Sequence, residues 1–220
     1  MTKSGNYKMK LRLTKIAIFL AALIPLARLL WKALHDALGA NPIEVITHST
    51  GDWTLIFVLT TLAVTPLRRI TRQYWLIGVR RMIGLFAFFY GTLHFLTYIW
   101  LDKFFNIQEM LKDIAKRPFI TVGFSAFVLM IPLALTSTAW SIRRLGGKNW
   151  QRLHRLIYFT GILAVVHYTW LVKADLRKPI EYGIVLSTLL AYRVAIWVSE
   201  KRKQPAIPAR AHRQAEITRA

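Results

Sequence analysis

Six apolar runs, separated by short segments rich in basic residues, constrain this 220-residue chain more than any other feature. A helix needs about 20 residues to cross the roughly 30 Å apolar layer of a bilayer. Backbone groups in lipid have no water to bond, so a helix is the form that such a run takes. The sequence therefore predicts an all-α membrane protein, a bundle of about six transmembrane helices at residues 15–34, 52–67, 82–101, 119–140, 154–172 and 180–199.

Composition supports this class and excludes several others. The chain is 55% apolar and its mean hydropathy is +0.36, above that of a typical soluble domain. A net charge of +21 would suit a nucleic-acid binder, but the basic residues form short clusters between apolar runs and no groove-reading motif is present. We therefore predict membrane lipid, and no nucleic acid, as a partner. The absence of cysteine excludes disulfides, iron–sulfur clusters and covalently attached haem.

The basic residues also predict the orientation of the bundle. Twenty of the 31 lysines and arginines lie in the two termini and the loops on their side, whereas seven lie in the opposite loops. The positive-inside rule places the richer side in the cytoplasm. We expect a multi-pass protein of the bacterial inner membrane with both termini cytoplasmic. Its parts are a basic N-terminus (1–14), a transmembrane domain (15–199) and a basic tail (200–220).

Two segments on the outer side are predicted to have ordered structure. Residues 35–51, with turn-forming Asn41-Pro42 and Ser49-Thr50-Gly51, are expected to form an ordered loop. Between residues 104 and 117, apolar side chains recur at helical spacing and basic side chains lie off that stripe. This pattern predicts a short amphipathic helix on the membrane surface, which either docks a partner or caps the bundle. No G-x-G-x-x-G element or P-loop occurs, so the chain is not expected to bind NAD(P)H itself, and the electrons for any redox function must come from elsewhere.

Three histidines lie where haem ligands are expected. His94 follows the last basic residue before the third run by 13 residues, and His167 follows His154 by the same number. Both therefore lie roughly 20 Å from the inner edge, and imidazoles at one depth on two helices can ligate one haem iron from both sides. His154, near the inner edge, would serve a second haem and has no histidine opposite. Over thirteen residues an ideal helix rotates by three full turns and about 220° more. One straight helix would therefore point the side chains of His154 and His167 to different sides.

Haem carries two propionates, for which arginine is the suitable partner because its planar fork pairs with carboxylates. Arg28 lies in the outer half of the first run and Arg193 in the inner half of the sixth. Arg80 and Arg81 lie at the level of His154. Pairing with propionates and snorkelling to the interface are both open for Arg28 and Arg193.

Several stretches together resemble one known family, the MsrQ/YedZ family of membrane haem subunits in the bacterial periplasmic methionine-sulfoxide reductase system. They are residues 41–53, 80–94, 116–124, 133–140 and 150–168. The family is similar to the haem domains of ferric reductases and NADPH oxidases. His94, His154 and His167 match its haem-ligand positions. Where the ferric-reductase pattern has a second histidine at the start of the third span, this chain has Arg80 and Arg81.

The resemblance implies a non-catalytic electron-transfer subunit that binds haem b and FMN. Electrons would come from the quinone pool or a cytosolic flavin reductase and pass to a periplasmic molybdenum-containing partner that reduces methionine sulfoxide. Two other functions stay open. One is a ferric-reductase-like oxidoreductase acting directly on a metal or oxygen at the outer face, against which the missing flavin–nicotinamide domain counts. The other is a haem-free transporter or structural protein, against which the matched histidine depths count.

Overall fold

A computed structural model describes residues 3–172 and 174–203, and every regular element in this part of the chain is helical. The helices are α1 (Lys3–Leu34), α2 (Pro42–Thr71), α3 (Leu76–Leu96), a π-helical turn (Thr97–Asp102), α4 (Ile107–Lys116), α5 (Pro118–Leu135), α6 (Ala139–Leu145), α7 (Gly147–Leu153), α8 (Leu156–Leu171) and α9 (Arg177–Lys203). The predicted tail lies outside the described residues from position 204 onward.

Within residues 3–172 and 174–203, five helical segments are long and apolar enough to cross a membrane, which supports a multi-pass all-α protein. They are Met9–Leu34, Pro42–Thr71, Leu76–Asp102, Pro118–Leu135 and Arg177–Arg202. The fifth predicted span, 154–172, is the 16-residue helix α8, about 24 Å long and so shorter than the apolar layer. The total of six spans therefore stays a prediction.

Side-chain contacts show that successive long helices alternate in direction. The start of α2 contacts the end of α3 through Thr47 and His94, and the start of α5 contacts the end of α8 through Phe119 and His167. We call this end of the bundle, where α4 also lies, the α4 end. The opposite end, where Arg80 of α3 bonds Thr65 of α2, is called the Arg80 end.

The predicted loop at residues 35–51 is wrong in its second half, because α2 already begins at Pro42. Asn41 caps this helix: its side-chain oxygen accepts a hydrogen bond from the backbone N–H of Glu44 at 3.3 Å. Proline at the first helical position needs no hydrogen-bond partner for its nitrogen and has a suitable backbone angle. The two residues that suggested a turn therefore start the helix, and Ser49, Thr50 and Gly51 lie within it.

The core forms mainly between α2 and α3, where Val58, Leu62, Val79 and Ala87 are almost fully buried. Tyr90 joins α1 to this core. Its hydroxyl donates to the carbonyl of Ala22 at 2.8 Å and accepts from the N–H of Leu26 at 3.2 Å. These two backbone groups would otherwise bond each other, so the hydroxyl is inserted into the helix ladder beside Pro25.

The amphipathic helix predicted within 104–117 is confirmed as α4. Asp113 fixes it to the bundle: its carboxylate accepts from Lys103 at 2.8 Å and pairs with Arg117 at 3.2 Å. The hydrogen bond from Lys103 holds the pKa of Asp113 below its ordinary value. The apolar side chains of Ile107 and Leu111 remain exposed.

Candidate functional site

The structure brings His94 of α3 and His167 of α8 together near the α4 end. Their ring centroids are 6.1 Å apart and their planes are inclined by 74°. A bond from a metal ion to a histidine nitrogen is roughly 2 Å long. Two such bonds, together with the distance from each nitrogen to its ring centre, match the observed separation. This spacing therefore suits the binding of one metal ion by both imidazoles.

Backbone carbonyls orient both rings. Nδ1 of His94 lies 3.0 Å from the carbonyl oxygen of Thr47, and Nδ1 of His167 lies 2.7 Å from that of Phe119. A carbonyl oxygen can only accept, so each Nδ1 carries the proton and donates it. In a neutral imidazole, Nε2 then has the free lone pair that a metal needs.

A glycine lies beneath each ring, four residues after the carbonyl that binds it. A Cβ atom added at Gly51 would be 3.1 Å from Cε1 of His94, and one added at Gly123 would be 2.6 Å from Nδ1 of His167. Any larger residue at position 123 would clash with the imidazole. We call each arrangement, Thr47 with Gly51 on α2 and Phe119 with Gly123 on α5, a carbonyl–glycine cradle.

Both histidines line a cavity of about 380 Å³ between α2, α3, α5 and α8. Most of its wall is apolar, including Leu55, Val58, Phe127 and Met130. Polar side chains lie among the lining residues as well: Asp52, Tyr98, Arg117 and Tyr168. An apolar cleft with a few polar groups is typical of a site for a bulky cofactor.

His154 has different surroundings at the Arg80 end. It follows α7 and precedes α8, so α7 and α8 are separate helices. The 220° calculation assumed one straight helix through His154 and therefore does not apply. Its ring stacks on Trp150 at a centroid distance of 3.8 Å, and its Nε2 lies 3.1 Å from the hydroxyl of Thr136. That hydroxyl donates its proton to the carbonyl of Pro132, so Nε2 of His154 is the donor here.

The four predicted arginines divide between three places. Arg80 donates to the hydroxyl of Thr65 at 3.3 Å, and Arg193 donates to the carbonyl of Leu62 at 2.7 Å. Because Leu62 and Thr65 are three residues apart, both guanidinium groups contact one face of α2. Arg81 is exposed on α3. Arg28 lines a separate cavity between α1 and α2.

Arg193 also has a structural role. Pro66 has no N–H, so the carbonyl of Leu62, four residues earlier, loses its helical partner. The guanidinium of Arg193 supplies that partner, and its second amino group donates to the hydroxyl of Tyr158 at 2.9 Å.

Comparison with known proteins identifies the family. Residues 49–179 match the model of the ferric reductase like transmembrane component. A protein of Herminiimonas arsenicoxydans, called the protein-methionine-sulfoxide reductase heme-binding subunit MsrQ, is 56% identical over 89% of this chain and 90% of its own length. Proteins of the same name in Ralstonia nicotianae and Bordetella pertussis are each 54% identical, over 90% and 83% of this chain and 91% and 89% of their own lengths. The chain belongs to the MsrQ family. No solved structure matches it.

Membership of the MsrQ family confirms the resemblance seen in the sequence, and the structure adds residues that the sequence did not single out. Gly51 and Gly123 lie against the two histidine rings. The histidine cavity is also lined by three charged side chains, Asp52, Asp102 and Arg117. Asp52 also pairs with Lys178 of α9 at 3.4 Å. A signal was present for Asp52, because a carboxylate within an apolar run is costly and needs a partner.

Proposed function

We propose that this chain is the haem b-binding membrane subunit of a methionine-sulfoxide reductase system, and that it conducts electrons across the membrane to a periplasmic reductase. The observation that carries the proposal is the facing pair of imidazoles, His94 and His167, each with Nε2 free. Two imidazole nitrogens are too few to hold a bare transition-metal ion. They would suit an iron that is already held by a porphyrin and takes its two remaining ligands from the protein.

When bound, haem supplies reversible one-electron transfer. The two imidazoles would ligate the iron, and the cradles fix the tautomers of the two imidazole rings. The apolar wall keeps water out, which helps to set the reduction potential. For propionates at this cavity, the structure favours Arg117 and Tyr98 as partners, because both line it whereas Arg28 does not.

The proposal includes a second, inner haem at His154. Residues Leu156 to His167 span about 16 Å of helix axis, so His154 lies well below the outer pair. Arg80 lies within electrostatic range of His154, and Arg193 lies near Arg80, which would suit propionates at that level. To ligate through Nε2, His154 would have to give up its hydrogen bond to Thr136.

The donors and the acceptor are proposed from the resemblance to the family. Electrons would enter at the Arg80 end from the quinone pool or a cytosolic flavin reductase, with FMN as a further carrier. They would leave at the α4 end to a periplasmic molybdenum-containing reductase. Reduction of a sulfoxide to methionine consumes two electrons and two protons and releases water, so a one-electron carrier must deliver twice per turnover.

The decisive experiment compares the reduced-minus-oxidised spectrum and EPR signal of His94→Ala, His167→Ala, the double variant and His154→Ala, all normalised to protein. Each outer single variant should lose or convert the same low-spin haem, and the double variant should lose little more, because both act on one site. His154→Ala should leave that outer signal in place. His35→Ala is the matched control, since this exposed histidine also lies at the α4 end but outside the cavity. Depletion of different haems by the two outer variants would refute the shared site.

The match to ferric reductases favours one alternative, direct reduction of a metal or oxygen at the α4 end. Haem variants cannot distinguish it from the main proposal, since both need the haem. Oxidation of the reduced protein by purified methionine-sulfoxide reductase, compared with ferric citrate and oxygen, would do so. We expect the partner to oxidise it faster than either small acceptor.

A further inference from the structure

A second cavity, of about 440 Å³, lies between α1 and α2 near the α4 end. Two basic residues of α1, Arg28 and Lys32, line it with apolar side chains from both helices. On α1 the lining positions 21, 25, 28 and 32 form one stripe at helical spacing, and on α2 the positions 45, 49 and 53 form another. The cavity is therefore a groove between two helix faces, and it does not share a lining residue with the histidine cavity.

The charges of this groove are unbalanced. Arg28 and Lys32 are four residues apart, so they are neighbours on the helix surface and repel each other. Neither forms an ion pair in the part of the chain that the structure describes, and no carboxylate lines the groove. An anion between the two side chains would remove the repulsion.

The position of the groove indicates what kind of anion fits. Lys32 and Arg28 lie about 3 and 9 Å before the end of α1 at Leu34, within the first span. Deeper along the same groove the wall is formed by Ala21, Ile24 and Trp53. A ligand there needs a negative head at the level of the two cations and an apolar part that runs toward the bilayer centre.

We propose that this groove binds an anionic phospholipid, with its phosphate between Arg28 and Lys32 and an acyl chain along Ile24 and Trp53. Basic pockets between membrane helices bind acidic lipid head groups on the cytoplasmic side of membranes, and the same charge pairing would hold an acidic lipid of the outer leaflet at the α4 end. Simple snorkelling would let the two cations reach any phosphate at the interface. The groove differs from that case because its apolar walls also contact the acyl chain, which gives the lipid a defined binding position.

The test is native mass spectrometry of the purified haem-loaded protein titrated with phosphatidylglycerol or phosphatidylcholine. The wild type should retain one phosphatidylglycerol with at least about tenfold preference, and R28Q/K32Q should lose that preference. The matched control is K112Q/K116Q, which removes two exposed cations, also four residues apart, at the same end but outside the groove. This control should keep the preference.

A third variant, Ser49→Trp, fills the groove and leaves both cations in place. It should also lose the retained lipid. Retention by S49W, or an unchanged preference in R28Q/K32Q, would overturn the proposal. The haem spectrum of R28Q/K32Q should equal that of the wild type. A loss of haem from the folded variant would instead show that Arg28 holds a propionate. That result would overturn the lipid site, but it would agree with the proposed haem-binding function of the chain.

Discussion

At the scale of single residues, the orientation of the His167 ring depends on the lack of a Cβ atom at Gly123. The position of Gly123 has no room for a Cβ, which would lie 2.6 Å from Nδ1 of the imidazole. In Gly123→Ala the ring must move, and the hydrogen bond to the carbonyl of Phe119 is then lost or bent. We expect loss of the low-spin haem or a clear change in its EPR g-values, with the protein still folded. Gly84→Ala is the control, because its added Cβ would meet Thr61 at an ordinary 3.6 Å. An unchanged EPR spectrum in Gly123→Ala would contradict the cradle.

Tyr90 is the second residue whose role can be tested alone. Its ring is about 1% exposed, and its hydroxyl satisfies one donor and one acceptor of α1. Tyr90→Phe leaves both backbone groups without that partner, which should lower stability by about 1–3 kcal/mol. Thermal unfolding in detergent measures this effect, and Tyr74→Phe, at an exposed side chain, should be neutral. Equal melting temperatures for the two variants would show that α1 restores its own ladder.

At the scale of helices, His94 and His167 have the same arrangement, in which a carbonyl near the start of one helix binds a histidine near the end of its antiparallel partner. In the hairpin of α2 and α3 the cradle carbonyl precedes its histidine by 47 residues, and in the pair α5 and α8 by 48. The sequence predicted the two histidines and their shared level, because depth in a membrane can be counted from basic residues. It did not predict the cradles, since which helix faces pack together is not visible in a single sequence.

Other errors of the sequence-based prediction had local causes. The start of α2 was placed ten residues late because Asn41-Pro42 suits a turn and a helix start equally well. The break at His154 was missed because residues 154–172 are apolar enough to look continuous. The sequence left propionate pairing and snorkelling both open for Arg28, and the structure places this residue at a second cavity.

Helix α4 carries a prediction about docking. Lys112 and Lys116 are exposed on it, whereas Arg117 is engaged with Asp113. If α4 docks the reductase, Lys112→Glu with Lys116→Glu should slow electron delivery several-fold and leave the haem spectrum unchanged. The loss should be greatest at low ionic strength, because steering by exposed charges is screened by salt. Arg117 is left intact, since its reversal would also break the attachment of α4. Equal rates at low salt would favour a capping role for this helix.

At the scale of the whole molecule, one prediction decides the direction of electron flow. The structure fixes only the alternation of the helices, and the distribution of basic residues, twenty against seven, supplies the orientation. A reporter fused after Lys203 should therefore be active in the cytoplasm, and one inserted at Glu109 in α4 should be active in the periplasm. The control is a pair of fusions in which Lys112 and Lys116 are neutralised, which should leave both readings unchanged because the bias is large. A cytoplasmic reading at Glu109 would place the His94–His167 pair on the donor side. The periplasmic reductase would then have to dock at the Arg80 end, where His154 is bonded to Thr136 and exposed arginines replace α4 as the contact surface.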